Sequence, residues 1–205
     1  MRIAVVGNGP SAKGRGVEID AADFVVRIND FERIAAEDSG RKLSAWARYG
    51  NTEVPAPRPD QQCEIWYTLP PSRTRGQCVP NTNWGNLGFE VNAANWRLIM
   101  AIPEWSYQVE AEAIANGGRF VGPSTGFTAI DMAIMRAGPG GVVAIYGFDA
   151  VTQDKPGWDE ARGGKSWPAE VAHNFPREKQ LLAELRDKGV WLGHPCPVKL
   201  EWATL

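Results

Sequence analysis

Ile3-Ala4-Val5-Val6-Gly7-Asn8-Gly9-Pro10-Ser11 decides how the rest of the chain reads. A short apolar, β-prone run stops abruptly at a turn built of glycine, asparagine, proline and serine. That is the pattern of a buried parallel strand followed by a loop that turns toward a ligand. Glycine after a strand lets the backbone approach a phosphate or ribose where a side chain would obstruct. A plain strand-to-loop turn has the same composition. A dinucleotide fingerprint needs a third glycine, which is absent, and Pro10 interrupts the run. Asn29-Asp30 is a poor acid for a ribose.

Outward from that stretch, Phe24-Val25-Val26-Arg27-Ile28 is a second strand, ended by Asn29-Asp30, and Ile65-Trp66-Tyr67-Thr68 a third, closed by Pro70-Pro71. Residues 50–90 are dense in Pro, Asn, Gln and Gly and read as loops around short elements. Glu104 to Asn116 has helical character and stops at Gly117-Gly118. After Arg119-Phe120-Val121-Gly122-Pro123, Ser124 or Thr125 caps a helix in which Phe127, Ile130, Ile134 and Ala137 recur at helical spacing. Gly138-Pro139-Gly140-Gly141 ends it. Val142 to Tyr146 is then a buried strand running into Gly147-Phe148-Asp149, and a polar stretch follows from Thr152 to Pro168. Glu178 to Lys188 is a further helix with Leu181, Leu182 and Leu185 inward, and Val190-Trp191-Leu192 the last strand. Strands alternating with helices predict an α/β fold: a Rossmann-like α/β/α sandwich around a mostly parallel sheet, one domain over residues 1–205. Ligands of such sheets bind beyond the carboxyl ends of the strands, where the segments after Val6, Ile28 and Tyr146 would lie.

Composition narrows the function classes. The chain has 205 residues, 43% hydrophobic and 22% charged, and a formal net charge of -2. That is ordinary globular composition, without the basic footprint of a nucleic-acid binder. Three cysteines without CxxC spacing (Cys63, Cys78, Cys196) argue against a disulfide framework or structural zinc and read as packing residues. Neither a signal peptide nor a run of about 18 apolar residues is present, so the expected location is cytoplasmic.

Two further segments carry chemistry. Gly122-Pro123-Ser124-Thr125-Gly126 opens a helix, where free N–H groups, the helix dipole and two hydroxyls suit an anion. An ordinary N-cap uses the same residues. His173-Asn174-Phe175-Pro176-Arg177-Glu178 holds one of the two histidines, and removal of a proton from a sugar hydroxyl needs such a base. Pro176 at a helix start would hold His173 in a fixed orientation. A histidine before a helix is also common without function.

Together these segments resemble the sialyltransferase family of glycosyltransferases. Ala4-Val5-Val6-Gly7-Asn8, Glu18-Ile19-Asp20 and Phe24-Val25-Val26-Arg27-Ile28-Asn29 are similar to its large sialylmotif. Pro123-Ser124-Thr125-Gly126 with Ile145-Tyr146-Gly147-Phe148 is similar to the small motif, and His173 with Glu178 to the very short one. The motifs span residues 3–29, 122–149 and 173–178; the middle third has no match. The resemblance implies a variant of the GT-A-like sandwich that moves sialic acid from a cytidine monophosphate (CMP) donor to a glycan or glycolipid hydroxyl. A related 2-keto-3-deoxy sugar acid such as Kdo shares that activation.

Carried over residue by residue, Asn8 (after Gly7) and Asn29 hold the phosphate and ribose. Ser124, Thr125 and Gly126 lie against the CMP, and Gly147 lies near the base or ribose. His173 deprotonates the acceptor, and Glu178 organises its motif. The implied reaction inverts the anomeric carbon and uses neither cofactor nor metal, and no Asp-x-Asp occurs. Animal members carry a membrane anchor and one cysteine in each of the large and small motifs, joined as a disulfide; Ile3 stands at the first position and none lies near Ser124. Another family histidine near the leaving phosphate has no counterpart in residues 150–172; either Lys165, Arg162 or Lys155 would supply the charge, or the helix-start amides alone would suffice. The expected partners are the donor and a glycan or glycolipid acceptor, without nucleic acid or a transmembrane segment, and compatible with peripheral membrane association.

Nine tryptophans suit either sugar stacking (Trp84, Trp105, Trp158, Trp167) or packing. His194 reads as structural, or as a phosphate contact if the C-terminus folds back. Asp149 reads as an acceptor-selecting carboxylate or a turn cap. Two other classes remain open: a catalytically silent domain that binds a nucleotide sugar or glycan, and a dinucleotide-dependent oxidoreductase.

Overall fold

The computed structural model describes residues 1–48, 63–67, 123–149 and 175–203. His173, Lys155, Arg162, Lys165, Gly122, the helix expected over 104–116 and the four loop tryptophans lie outside them.

Six strands form one sheet: β1 (Arg2–Val6), β2 (Phe24–Ile28), β3 (Ala45–Arg48), β4 (Glu64–Tyr67), β5 (Val142–Tyr146) and β8 (Lys199–Trp202). Their order is β4-β3-β2-β1-β5-β8, and every pairing is parallel. The helices are α1 (Gly16–Asp20), α2 (Ala36–Ser39), α3 (Thr125–Ala137) and α4 (Phe175–Lys188). This is the expected α/β architecture.

The alternation of side chains along β1 sorts the core into two layers. Ile3 and Val5 join Val26, Ile28, Phe127, Ile130, Leu181 and Leu182 in the cluster under α3 and α4. Ala4 and Val6 join Ile19, Val25 and Ile34 on the opposite face, under α1 and the turns around it. Both faces of the central strands are therefore dry, which is why they read as continuous apolar runs.

Four strands differ from the sequence reading. β3 lies between β2 and β4, and its Ala45 and Ala47 are fully buried under α3. Small residues fit there because the helix sits close, yet alanine carries little strand signal. The expected last strand, Val190–Trp191, does not join the sheet. It forms β6 and pairs antiparallel with β7 (His194–Pro195) in a separate ribbon. The sheet's edge is instead β8, whose Leu200 points into the core while Lys199 pairs with Glu201 at 2.7 Å.

Arg27 explains the spacing of Glu18-Ile19-Asp20 and Phe24-to-Asn29. Its guanidinium is 2% exposed and donates to Lys42 O (2.9 Å), Ser39 O (2.9 Å) and Ser39 Oγ (3.4 Å), with Asp20 at 3.7 Å. Asp20 in turn accepts the amides of Arg41 and Lys42 at 2.8 and 2.9 Å. Burial pulls the Arg27 pKa down and Asp20 pulls it back up. Here a motif arginine and aspartate tie α1 to the segment before β3, an architectural duty.

Candidate functional site

The strand order changes direction between β1 and β5, so the crevice of this sheet lies beyond their carboxyl ends. Gly7 follows β1 and Gly147 follows β5, and the two loops meet there. Gly7 N donates to Tyr146 O (2.7 Å) and Gly9 N to Gly147 O (3.0 Å). A Cβ at Gly7 would fall 2.5 Å from Gly147 O, and one at Gly147, whose φ is +71°, would fall 2.6 Å from Gly7 O. The two glycines are thus required by each other, whatever the ligand.

Asn8 sits between these anchors. Its Nδ2 donates to Ile28 O at 3.2 Å, which fixes the amide orientation because that carbonyl needs a donor. Its buried Oδ1 has no partner among the described residues. Asn29, directly after Ile28, adopts φ +49°, a left-handed conformation that asparagine tolerates. Its N–H donates to Ala47 O at 2.8 Å and its carbonyl accepts Trp46 Nε1 at 2.7 Å. Trp46 was not foreseen as a site-shaping residue; nothing in Ala-Trp-Ala-Arg signals that its indole would hold Asn29.

The α3 N-terminus stands over the same edge. Ser124 is its N-cap, accepting from Phe127 N at 3.1 Å, which stabilises the helix by roughly 1 kcal/mol. Gly126 faces the ring of Phe148, from which a Cβ would be only 2.6 Å away, and Ile28 lies at 3.5 Å. The loop after β5 therefore packs directly on the first turn of α3.

Glu178 joins α4 to this turn. It is fully buried and accepts from Ser124 N (2.7 Å) and Ser124 Oγ (2.9 Å). Burial pushes its pKa up to about 7, while the two Ser124 hydrogen bonds pull in the opposite direction. Both donors of Ser124 are thereby consumed internally. The donors at the helix start left for an anion are the amides of Thr125 and Gly126 and the Thr125 hydroxyl, none of which is used in the hydrogen bonds described above.

The nucleotide-site residues selected from the sequence that lie within the described parts converge here, with Glu178: Gly7, Asn8, Asn29, Ser124, Thr125, Gly126 and Gly147. His173 and Lys165 lie outside them. His194 lies elsewhere, in the exposed strand β7 that follows the far end of α4, near where Gly140 N donates to Pro197 O. Asp149 is 1% exposed and accepts from Ser11 N at 3.1 Å, so it binds the loop after β1 rather than capping its own next turn or facing an acceptor. Cys63 and Cys196 are free thiols. Among the described residues no group of acidic, histidine and cysteine side chains has the arrangement of a metal site, and no helix is long and apolar enough to cross a membrane.

No family model matches the chain, and no curated protein matches it. Among solved structures, a mammalian sialyltransferase superposes with a TM-score of 0.55 at 18% identity, covering 97% of this chain and 68% of the other. A mammalian sialyltransferase in complex with Gal-beta-1-3GalNAc-ortho-nitrophenol gives 0.49 at the same identity and coverage. The first likeness establishes a shared α/β fold: the chain is built on the same parallel-sheet framework as a mammalian sialyltransferase.

Proposed function

We propose that this chain is a glycosyltransferase that moves sialic acid, or a related 2-keto-3-deoxy sugar acid such as Kdo, from a CMP donor to a hydroxyl of a glycan or glycolipid. The observation that carries this reading is the convergence of Asn8, Asn29, the α3 start and Gly147 at the switch point of the sheet. The shared framework supports it.

In this reading the Thr125 and Gly126 amides and the positive end of α3 receive the donor phosphate. Asn8 Nδ2 is engaged with Ile28 O, so Oδ1 offers an acceptor. It therefore suits a ribose hydroxyl or the exocyclic amine of cytosine better than a phosphate oxygen. Asn29 and Gly147 border the ribose and base. The acceptor oxygen attacks the anomeric carbon as the bond to the phosphate oxygen breaks. CMP leaves with the electron pair, the acceptor proton passes to His173, and the configuration inverts. Lys165 and the helix-start amides meet the charge growing on the leaving phosphate, so the step runs without a metal. Lys165→Ala with unchanged turnover would remove that lysine from the scheme.

The dinucleotide alternative is disfavoured by the β1 loop. The open faces of Gly7 and Gly9 are filled by Gly147 and Asp149, whereas a pyrophosphate cradle needs those faces for the ligand. The deciding experiment is titration with CMP, UMP, AMP and NADH, with and without EDTA. Selective CMP binding that survives EDTA is expected; equal affinity for all four nucleotides would refute the donor assignment. CMP binding without transfer to any glycan acceptor would favour the silent binding domain.

A further inference from the structure

Three hydrogen bonds clasp the loop after β1 to the loop after β5. Gly9 N donates to Gly147 O (3.0 Å), Gly147 N to Ser11 Oγ (3.0 Å), and Ser11 N to Asp149 Oδ2 (3.1 Å). Ser11 and Asp149 are 138 positions apart in the chain and 3% and 1% exposed. The carboxylate also rests on Gly9: a Cβ there would fall 2.0 Å from Asp149 Oδ2 and 2.8 Å from Gly147 O. Asn8 lies between Gly7 and Gly9, both of which are bonded to the β5 side. Its backbone is therefore bracketed by the clasp, and its amide reaches Ile28 O from there.

We propose that Asp149 is a positioning residue of the donor site: bonded to the Ser11 amide and packed on Gly9, it holds the β1 loop so that Asn8 presents Oδ1 to the nucleoside. Asp149 does not touch the substrate, because its carboxylate is enclosed by Ser11 and Gly9. An ionised acceptor forms a stronger bond to a backbone amide than a neutral one, which suits a group that must fix a glycine-containing loop. The proposal rests on the CMP-donor reading of the site.

The test is isothermal titration with CMP of the wild type, Asp149→Ala, Asn8→Ala and the double variant. Each single change is expected to weaken CMP binding about tenfold, the loss of one well-placed hydrogen bond. If Asp149 acts through Asn8, the double variant binds no more weakly than the poorer single variant. Additive losses would overturn the proposal. Asp149→Asn keeps one acceptor for the Ser11 amide and is expected to bind CMP more tightly than Asp149→Ala.

A ligand-free readout separates this proposal from the donor reading: hydrogen exchange of the Asn8 side-chain amide. Faster exchange in the Asp149 variants than in the wild type is expected as the Ile28 bond loosens. Unchanged exchange would show that Asp149 does not set Asn8. If the wild type does not bind CMP, the donor reading fails, while the exchange comparison still decides whether Asp149 holds Asn8.

Discussion

Ser124 gives both its backbone N–H and its hydroxyl proton to the two carboxyl oxygens of Glu178, at 2.7 and 2.9 Å. One side chain thus fastens the start of α3 to the first turn of α4, whose sequence begins two positions after His173. In the proposed transferase, the group that orders the donor turn also anchors the helix that follows the base in sequence.

The fully buried Glu178 has a pKa raised from 4.5 to about 7. Its folded-state value exceeds its unfolded one, so its favourable contribution is complete below about pH 4.5 and is lost as pH rises through about 7. Denaturant titrations of the wild type and Glu178→Gln at pH 5 and pH 8 should reveal this. The stability difference is expected to move toward the glutamine variant by on the order of 3 kcal/mol between the two, at 1.36 kcal/mol per pKa unit. A difference independent of pH would mean that Glu178 does not titrate in this window.

Gly126→Ala tests the contact with Phe148, whose ring lies 2.6 Å from where the new methyl would sit. Overpacking costs about 1–3 kcal/mol, against about 1 kcal/mol gained from alanine's helix propensity. A net loss of up to 2 kcal/mol is expected in the wild type. In a Phe148→Leu background the same change should stabilise. Denaturation of the four proteins checks the sign reversal, and the same sign in both backgrounds would exclude Phe148 as the cause.

Gly138 and Gly147 share left-handed φ values, +67° and +71°, but not surroundings. Nothing lies within 4 Å of a Cβ at Gly138, whereas one at Gly147 would meet Gly7 O at 2.6 Å. Gly138 combines that φ with a ψ of 179°, a region essentially reserved for glycine, so Gly138→Ala should cost the conformational penalty alone, about 1–3 kcal/mol. Gly147→Ala should cost at least twice as much, because backbone must move. Comparable melting temperatures for the two variants would contradict the loop-to-loop contact.

His173→Ala separates catalysis from binding. Turnover of a CMP-activated sugar acid should fall about 10²–10⁴-fold, the usual worth of a general base. CMP affinity should stay within a factor of two or three. A parallel collapse of affinity would make His173 a binding residue.

Much of the framework was legible in the amino-acid order. The apolar runs of β1, β2 and β5 and the spacing of Phe127, Ile130 and Ile134 in α3 stand in the structure at nearly the expected bounds. Strands buried on both faces and helices with one apolar stripe advertise themselves locally. β3 did not, because Ala45 and Ala47 are selected by the closeness of α3 rather than by strand preference. Nor did β8, whose Lys199 and Glu201 look like surface residues while Leu200 and the half-buried Trp202 face the core.

The candidate site divides along the same line. The chemistry-bearing turns after β1, β2 and β5 and at the start of α3 follow from local composition, since glycine, asparagine and serine mark places where backbone must bend or be capped. What meets those turns does not. A glycine in a sequence records a missing Cβ, not the atom that takes its space. Packing alone brought Gly147 against Gly7, Phe148 against Gly126, Asp149 against Gly9 and Glu178 against Ser124. The sequence by itself determined the strongly patterned strands β1, β2 and β5, the helices α3 and α4 and the turns beside them, because those depend on short-range periodicity and backbone freedom. Only the tertiary structure decided how those turns grip one another, because such contacts join residues 22 to 140 positions apart once the sheet and its helices have packed.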